Sequence, residues 1–250
     1  MSLEFRGYVP RDYESHPEGS SLPFANQKEI PVSQWKERID YLNSIEAMPY
    51  HWHKKLGRSA IMNQRKTNYC WCYGTVAAVK NCYAVQGIGN IRLNAHAVAY
   101  LGKKGKNKGG FGAEACEYIE RFGIPETTVL PEFSKTLRWD RLVKANARQN
   151  KIVSFQEIGK NRFESVVSNL IGDDPAPCTV AFDWWRHLVC ALAVTYDNRG
   201  RFGLIVVNSW GSKWGAGGMS GGYGIIWGSK AVPFESIAVR NVKARKESDD

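Results

Sequence analysis

A chain of 250 residues that is 43% hydrophobic and 23% charged is long enough for one large domain or two packed lobes with a real core, and too apolar for disorder beyond its ends. The net charge of +10 describes a basic, solvated surface. Its densest run, Lys103, Lys104, Lys106 and Lys108, is broken by glycine and lacks interleaved aromatics for base stacking, so nucleic acid is not indicated, and no stretch reaches the roughly 18 apolar residues of a membrane span.

Residues 1–30 are rich in Pro, Ser, Gly and charge and read as an extended arm. The first residues carry no apolar run of a secretory leader, and the six cysteines (70, 72, 82, 116, 178 and 190) include no C-x-x-C pair. Both point to a reduced, intracellular (cytoplasmic) setting. Residues 30–48 place Trp35, Ile39, Leu42 and Ile45 at helical spacing, which predicts a short amphipathic helix ended by Pro49. Residues 1–47 are thus an N-terminal extension of unassigned role. The strongest helix signal covers 70–86, with Val76, Ala77, Val79 and Tyr83 along one face and Gly87 as a stop. Helices are also expected over 112–123, closed by Gly123 and Pro125, and over 163–172. The character then changes. Residues 178–182, 187–196, 202–208 and 222–228 are apolar, β-rich runs, and Asp197-Asn198-Arg199-Gly200 is a hairpin turn signal. Helices first and antiparallel strands second predict an α+β fold of two lobes, a helical one over about 63–130 and a β-rich one over about 150–240. After Val239 the chain reads as a solvated tail, and 241–250 is strongly charged.

Chemistry concentrates at Cys70. A buried thiol is usually a small apolar filler, but this one opens a helix after a polar loop. A helix N-terminus favours a thiolate, the reactive form. Gln64 in the same loop is an amide donor suited, with the N–H of Cys70, to an oxyanion. Among five histidines, His16 lies in the arm, His51 and His53 read as surface groups, and His96 as a partly buried helical residue. His187 starts an apolar strand whose hairpin partner ends at Asn208. The turn brings the two side by side, and an amide oxygen on one ring nitrogen leaves the other to take a thiol proton.

The pattern N-Q-x5-C-W, then a His at a strand start, then N-S-W-G-x-x-W-G, resembles the papain-like cysteine peptidases over most of the chain. The resemblance implies a papain-like two-lobed fold, with a helical lobe and a C-terminal antiparallel β-barrel-like lobe, and a catalytic domain over 48–240. It implies Cys70, His187, Asn208 and Gln64 as catalytic residues, and Gly109, Gly110, Trp185, Trp210 and Trp214 as substrate-cleft residues. The implied reaction is endopeptidase hydrolysis through a Cys70 thioester, with a peptide or protein as partner and no metal or organic cofactor. The string Thr67–Cys72 resembles bacterial and phage-encoded members. The chain departs from the family in several places. Thr67 stands where a bridged cysteine is usual, and Cys72 follows Trp71. Only Asp183 to Arg186 separate a strand from His187, so a wall loop is shortened and a more open cleft is expected. Two other readings share these residues: a papain-fold deamidase or transamidase, and a catalytically silent binding protein. Gly218-Met219-Ser220-Gly221-Gly222 matches a serine hydrolase elbow but lacks the strand–helix context and a later histidine. His51, His53, Cys70 and Cys72 have poor spacing for zinc.

Overall fold

The computed structural model describes residues 7–16, 29–134 and 137–243. The apolar stripe after residue 30 folds into α1 (Trp35–Ser44), which buries Trp35, Ile39 and Leu42 and leaves Ile45 exposed beyond its end. Pro49 does not close that helix. It opens α2 (Pro49–Lys55), because proline in a first helical turn has no N–H to lose. The expected central helix is α3 (Cys70–Val85), and it is buried from Cys70 to Ala84 on every face, not along one stripe. Gly74, its weak point for helix propensity, is where it approaches the strand of His187. A Cβ there would lie 2.4 Å from the Leu188 side chain and 3.2 Å from the Val189 backbone.

Three further helices complete this side: α4 (Ala95–Gly102), capped by Asn94, α5 (Gly112–Phe122), and α6 (Arg141–Ala147), capped by Asp140. The sheet begins at β1 (Ile152–Glu157), before α7 (Phe163–Ile171). It continues with β2 (Cys178–Phe182), β3 (His187–Tyr196), β4 (Phe202–Val207), β5 (Tyr223–Trp227) and β6 (Glu235–Val242). The strand order is β1-β6-β2-β3-β4-β5, antiparallel throughout. β1 and β5 do not pair with each other, so the sheet is open and not barrel-like.

The middle strands are buried on both faces and so show no polar alternation. On β3, Leu188, Cys190 and Leu192 join the core around α3, while Val189, Ala191 and Ala193 join a second core with Trp35, Ile39 and Leu170. The sheet therefore lies between α3 and α5 on one face and α1 and α7 on the other. The expected tail begins too early: β6 continues through Val242 on β1, and Arg240 bonds Gln156. Residues 244–250 of that tail, and 1–6 and 17–28 of the expected arm, lie outside the described residues. No helix among the described residues is long and apolar enough to cross a membrane.

Candidate active site

Cys70 is the first residue of α3, at the end where main-chain N–H groups lack helical partners. It is fully buried, and burial pushes its thiol up to about 11. Main-chain N–H groups of Leu188, Gly7, Trp71 and Cys70 itself pull the other way by bonding the sulfur. The Leu188 contact sets the sulfur beside the first peptide of β3, which His187 begins. Close packing at Gly74 holds the two elements in that register.

His187 is fully buried, and its Nε2 lies 2.8 Å from Asn208 Oδ1. The Ser209 main-chain N–H donates to the same Oδ1 at 2.7 Å, which identifies that atom as the amide oxygen. Oxygen can only accept here, so Nε2 carries the proton and Nδ1 is the basic nitrogen. The ring is enclosed by indoles: Trp185 at 4.8 Å and Trp210 at 4.6 Å between centroids, with Trp214 stacked on Trp185 at 6.2 Å. A low-dielectric wall of this kind strengthens the His187–Asn208 bond and excludes water from it. Beyond Trp185 lies a groove of about 690 Å³ lined by Trp184, Trp214, Trp227, Arg201 and Lys230.

Gln64 is fully buried and clamped to the strand end that bears Asn208. Its Oε1 accepts from Ser209 Oγ at 2.5 Å, and its N–H donates to the Ser209 carbonyl at 2.8 Å. Its Nε2 donates to the Thr67 carbonyl at 2.7 Å. Gly211 N–H donates to the Met62 carbonyl, adding a second stitch. The loop before Cys70 and the N-S-W-G segment are thus one hydrogen-bonded unit that ties Gln64 to the strand end bearing Asn208, the partner of His187.

Gly109 and Gly110 hold a strand-like segment of the chain's own N-terminus. Gly110 N–H donates to the Gly7 carbonyl at 2.9 Å, and Val9 N–H donates to the Gly110 carbonyl at 3.0 Å. Tyr8 N–H donates at 3.2 Å to the carbonyl of Arg186, the residue before His187. A Cβ at Gly109 would lie 2.3 Å from the Gly7 carbonyl oxygen, so only glycine admits this approach. The segment runs between the two walls of the site and covers Cys70. The shortened link before His187 forms a 3-10 turn (Asp183–Trp185) that ends in Arg186 with a left-handed φ of 50°. The Arg186 guanidinium pairs with Asp183 at half-exposed positions.

Sequence reasoning missed the arm's path and three residues that hold it, Arg11, Glu157 and Glu235. Glu235 opens β6, whose mixed polar and apolar sequence gave no local signal for it. Two of the other histidines differ from expectation. His53 is fully buried, its Nδ1 2.8 Å from the Tyr223 hydroxyl, and His51 is partly buried, because α2 packs its inner face on α3 and β5. His96 is the helical, enclosed residue expected, 4.6 Å from the Phe133 ring. His16 remains in the arm, against Phe111 and Glu117. All six cysteines are unbonded buried thiols.

Known proteins share this fold. The solved bromelain protease from Ananas comosus superimposes with a TM-score of 0.58 at 20% identity, over 72% of this chain and 93% of that one. Ananain, also from Ananas comosus, is 22% identical over 236 residues. The chain is a divergent relative of the papain-like cysteine proteases. Cysteine proteinase 1 of Entamoeba histolytica is 25% identical over 210 residues. The matches cover 86% and 73% of this chain but 66% and 65% of these two relatives, so the chain spans just under two thirds of their length. No protein-family model matches the chain. The papain-like fold is shared; in this chain the sheet is open, all six cysteines are free, and Asp183–Arg186 alone link β2 to His187.

Proposed function

We propose that the chain is a cysteine peptidase in which Cys70 is the nucleophile, His187 the general acid and base, and Asn208 the group that orients the ring. The observation that carries this reading is the pair of bonds to Asn208 Oδ1, which leaves Nδ1 of His187 basic beside the helix terminus that bears Cys70. With the cleft open, Nδ1 takes the thiol proton and the sulfur attacks a peptide carbonyl. The developing oxyanion is met by the N–H of Cys70 and the amide of Gln64. His187 then gives its proton to the leaving amine, and the amine departs with a new terminus. Water, deprotonated by His187, opens the thioester and regenerates the thiol. Peptide substrates lie along Gly109 and Gly110, in the track now held by residues 7–9.

The test is a mixture of peptides incubated with the wild-type chain, Cys70→Ser and His187→Ala, read by mass spectrometry for new amino termini. New termini with wild type alone support the proposal. Ammonia release without new termini would assign a deamidase, and no reaction at all from a chain whose arm has been displaced would leave a binding protein.

A further inference from the structure

The arm that covers Cys70 carries a buried cation. Arg11 is 3% exposed, and its Nη1 lies 2.9 Å from Glu157 Oε1 and 3.9 Å from Glu235 Oε1. The guanidinium carbon sits 4.9 Å from the Tyr13 ring and 5.9 Å from the Phe111 ring, and Nε donates to the His16 carbonyl. Of these groups, Glu157, Glu235 and Phe111 belong to the body of the protein. Glu157 ends β1, and Glu235 starts β6, where β1 and β6 pair. Glu235 is held rigidly, since Gly112 and Ala113 N–H groups donate to its two oxygens at 2.9 and 3.1 Å. Those donors open α5, two residues past Gly110, whose backbone binds the arm. The acid pair is therefore part of the same cleft wall that grips the segment over Cys70.

Two buried carboxylates side by side are unfavourable without a cation between them. Burial pushes Glu235 up to about 7 even with Arg11 and two N–H groups pulling it down. A planar guanidinium is suited to carboxylates offered from two different strands, and it stacks on aromatic faces as an ammonium does not. The pocket is built by the body, and its filling is brought by a segment that must leave for any other peptide to reach Cys70.

We propose that Glu157, Glu235 and Phe111 form a guanidinium-selecting subsite of the cleft, so that peptides taken by this site carry an arginine there, and that Arg11 fills it as a tethered stand-in. Calling those peptides substrates rests on the peptidase reading; the pocket's preference does not.

The experiment uses the full chain carrying Cys70→Ser, which prevents turnover, together with Arg11→Ala, which empties the pocket. A fluorescent peptide with the sequence of residues 7–16 is titrated against it by anisotropy, beside the same peptide with citrulline, the neutral isostere, in place of arginine. The arginine peptide is expected to bind at least tenfold more tightly. Adding Glu235→Gln is expected to reduce that ratio below threefold. Should the Arg11→Ala chain not fold, Arg11→Gln, which retains a polar stem, takes its place. Equal binding of the two peptides, or no binding of the arginine peptide, overturns the proposal and leaves Arg11 as a structural lock. Catalysis is not read, so the two ideas fail separately: a chain that selects arginine but never cleaves refutes only the peptidase, and one that cleaves but binds both peptides alike refutes only the subsite.

Discussion

Replacing Gly7 by alanine tests whether the arm restrains Cys70. A Cβ on residue 7 would stand 1.9 Å from the Asn68 carbonyl oxygen and 2.2 Å from its carbon, both backbone atoms that cannot swing aside. The arm must lift by about 1.5 Å to reach an ordinary contact. That displacement breaks the 2.9 Å bond from Gly110 N–H to the Gly7 carbonyl and removes the Gly7 N–H from the Cys70 sulfur. At about 1 kcal/mol net for each hydrogen bond, arm opening becomes easier by about 2 kcal/mol, or about 30-fold. Opening also admits water to a thiol that burial has pushed up from 9.0 to about 11. At pH 8, below both values, restoring the ordinary thiol raises the thiolate fraction about 100-fold. Alkylation of Cys70 by iodoacetamide, followed by intact mass with Cys70→Ser as the blank, is therefore expected to run about 10 to 100 times faster in Gly7→Ala. A rate within twofold of wild type, in a variant that melts at the same temperature, would refute the view that the arm holds the nucleophile closed.

Removing the ring orienter, Asn208→Ala, is expected to lower kcat/KM on a cleaved peptide by about 100-fold with little change in KM, since the base loses its fixed tautomer. A loss confined to KM would argue against that role. Ser209→Ala removes the buried hydroxyl that Gln64 Oε1 accepts from. We expect a stability loss of about 1–3 kcal/mol by denaturant titration and a fall in kcat together, whereas a fall in neither would detach Gln64 from the oxyanion site. His53 is held neutral by burial, its value lowered from 6.5 to about 3. The unfolded chain takes up this proton first as pH falls, so stability is lost below pH 6.5 and down to about 3, by about 1.4 kcal/mol per pH unit within that window. His53→Gln should flatten the acid limb of a stability–pH curve, and an unchanged slope would contradict the assignment. Gly123 has φ of 80°, and a Cβ on it would lie 1.9 Å from the Ala147 carbonyl oxygen. Gly123→Ala is expected to cost at least about 2 kcal/mol by thermal melting, and a smaller loss would mean the end of α5 can be rebuilt.

Local signals in the chain were sufficient for the helix that Cys70 opens, for β2 and β3 at their observed bounds, and for the turn between β3 and β4. Period, turn chemistry and apolar runs act over a few residues and survive into the fold. They were also sufficient to set His187 beside Asn208, because a hairpin makes neighbours of its strand ends. They failed where the partner is remote. β1 and β6 carry Ser154, Gln156, Glu157 and Arg240, so they read as polar until their pairing with each other is known. His53 has no local cue for burial; the cue is Tyr223, on β5. The same holds for the arm. Its prolines, serines and charges describe a solvated segment, and nothing near Arg11 in the chain announces two carboxylates from β1 and β6.

Residue types and short-range spacing decided what chemistry this protein can attempt: a thiol at a helix start, an imidazole, an amide to orient it, and an amide donor. Assembly in three dimensions decided the state in which that chemistry is held. The arm lies over Cys70 because Gly7, Gly109 and Gly110 lack side chains where two backbones meet, and because buried Glu157 and Glu235 require a cation that Arg11 supplies. Both causes act between residues far apart in sequence, where steric fit and desolvation, not periodicity, set the energy.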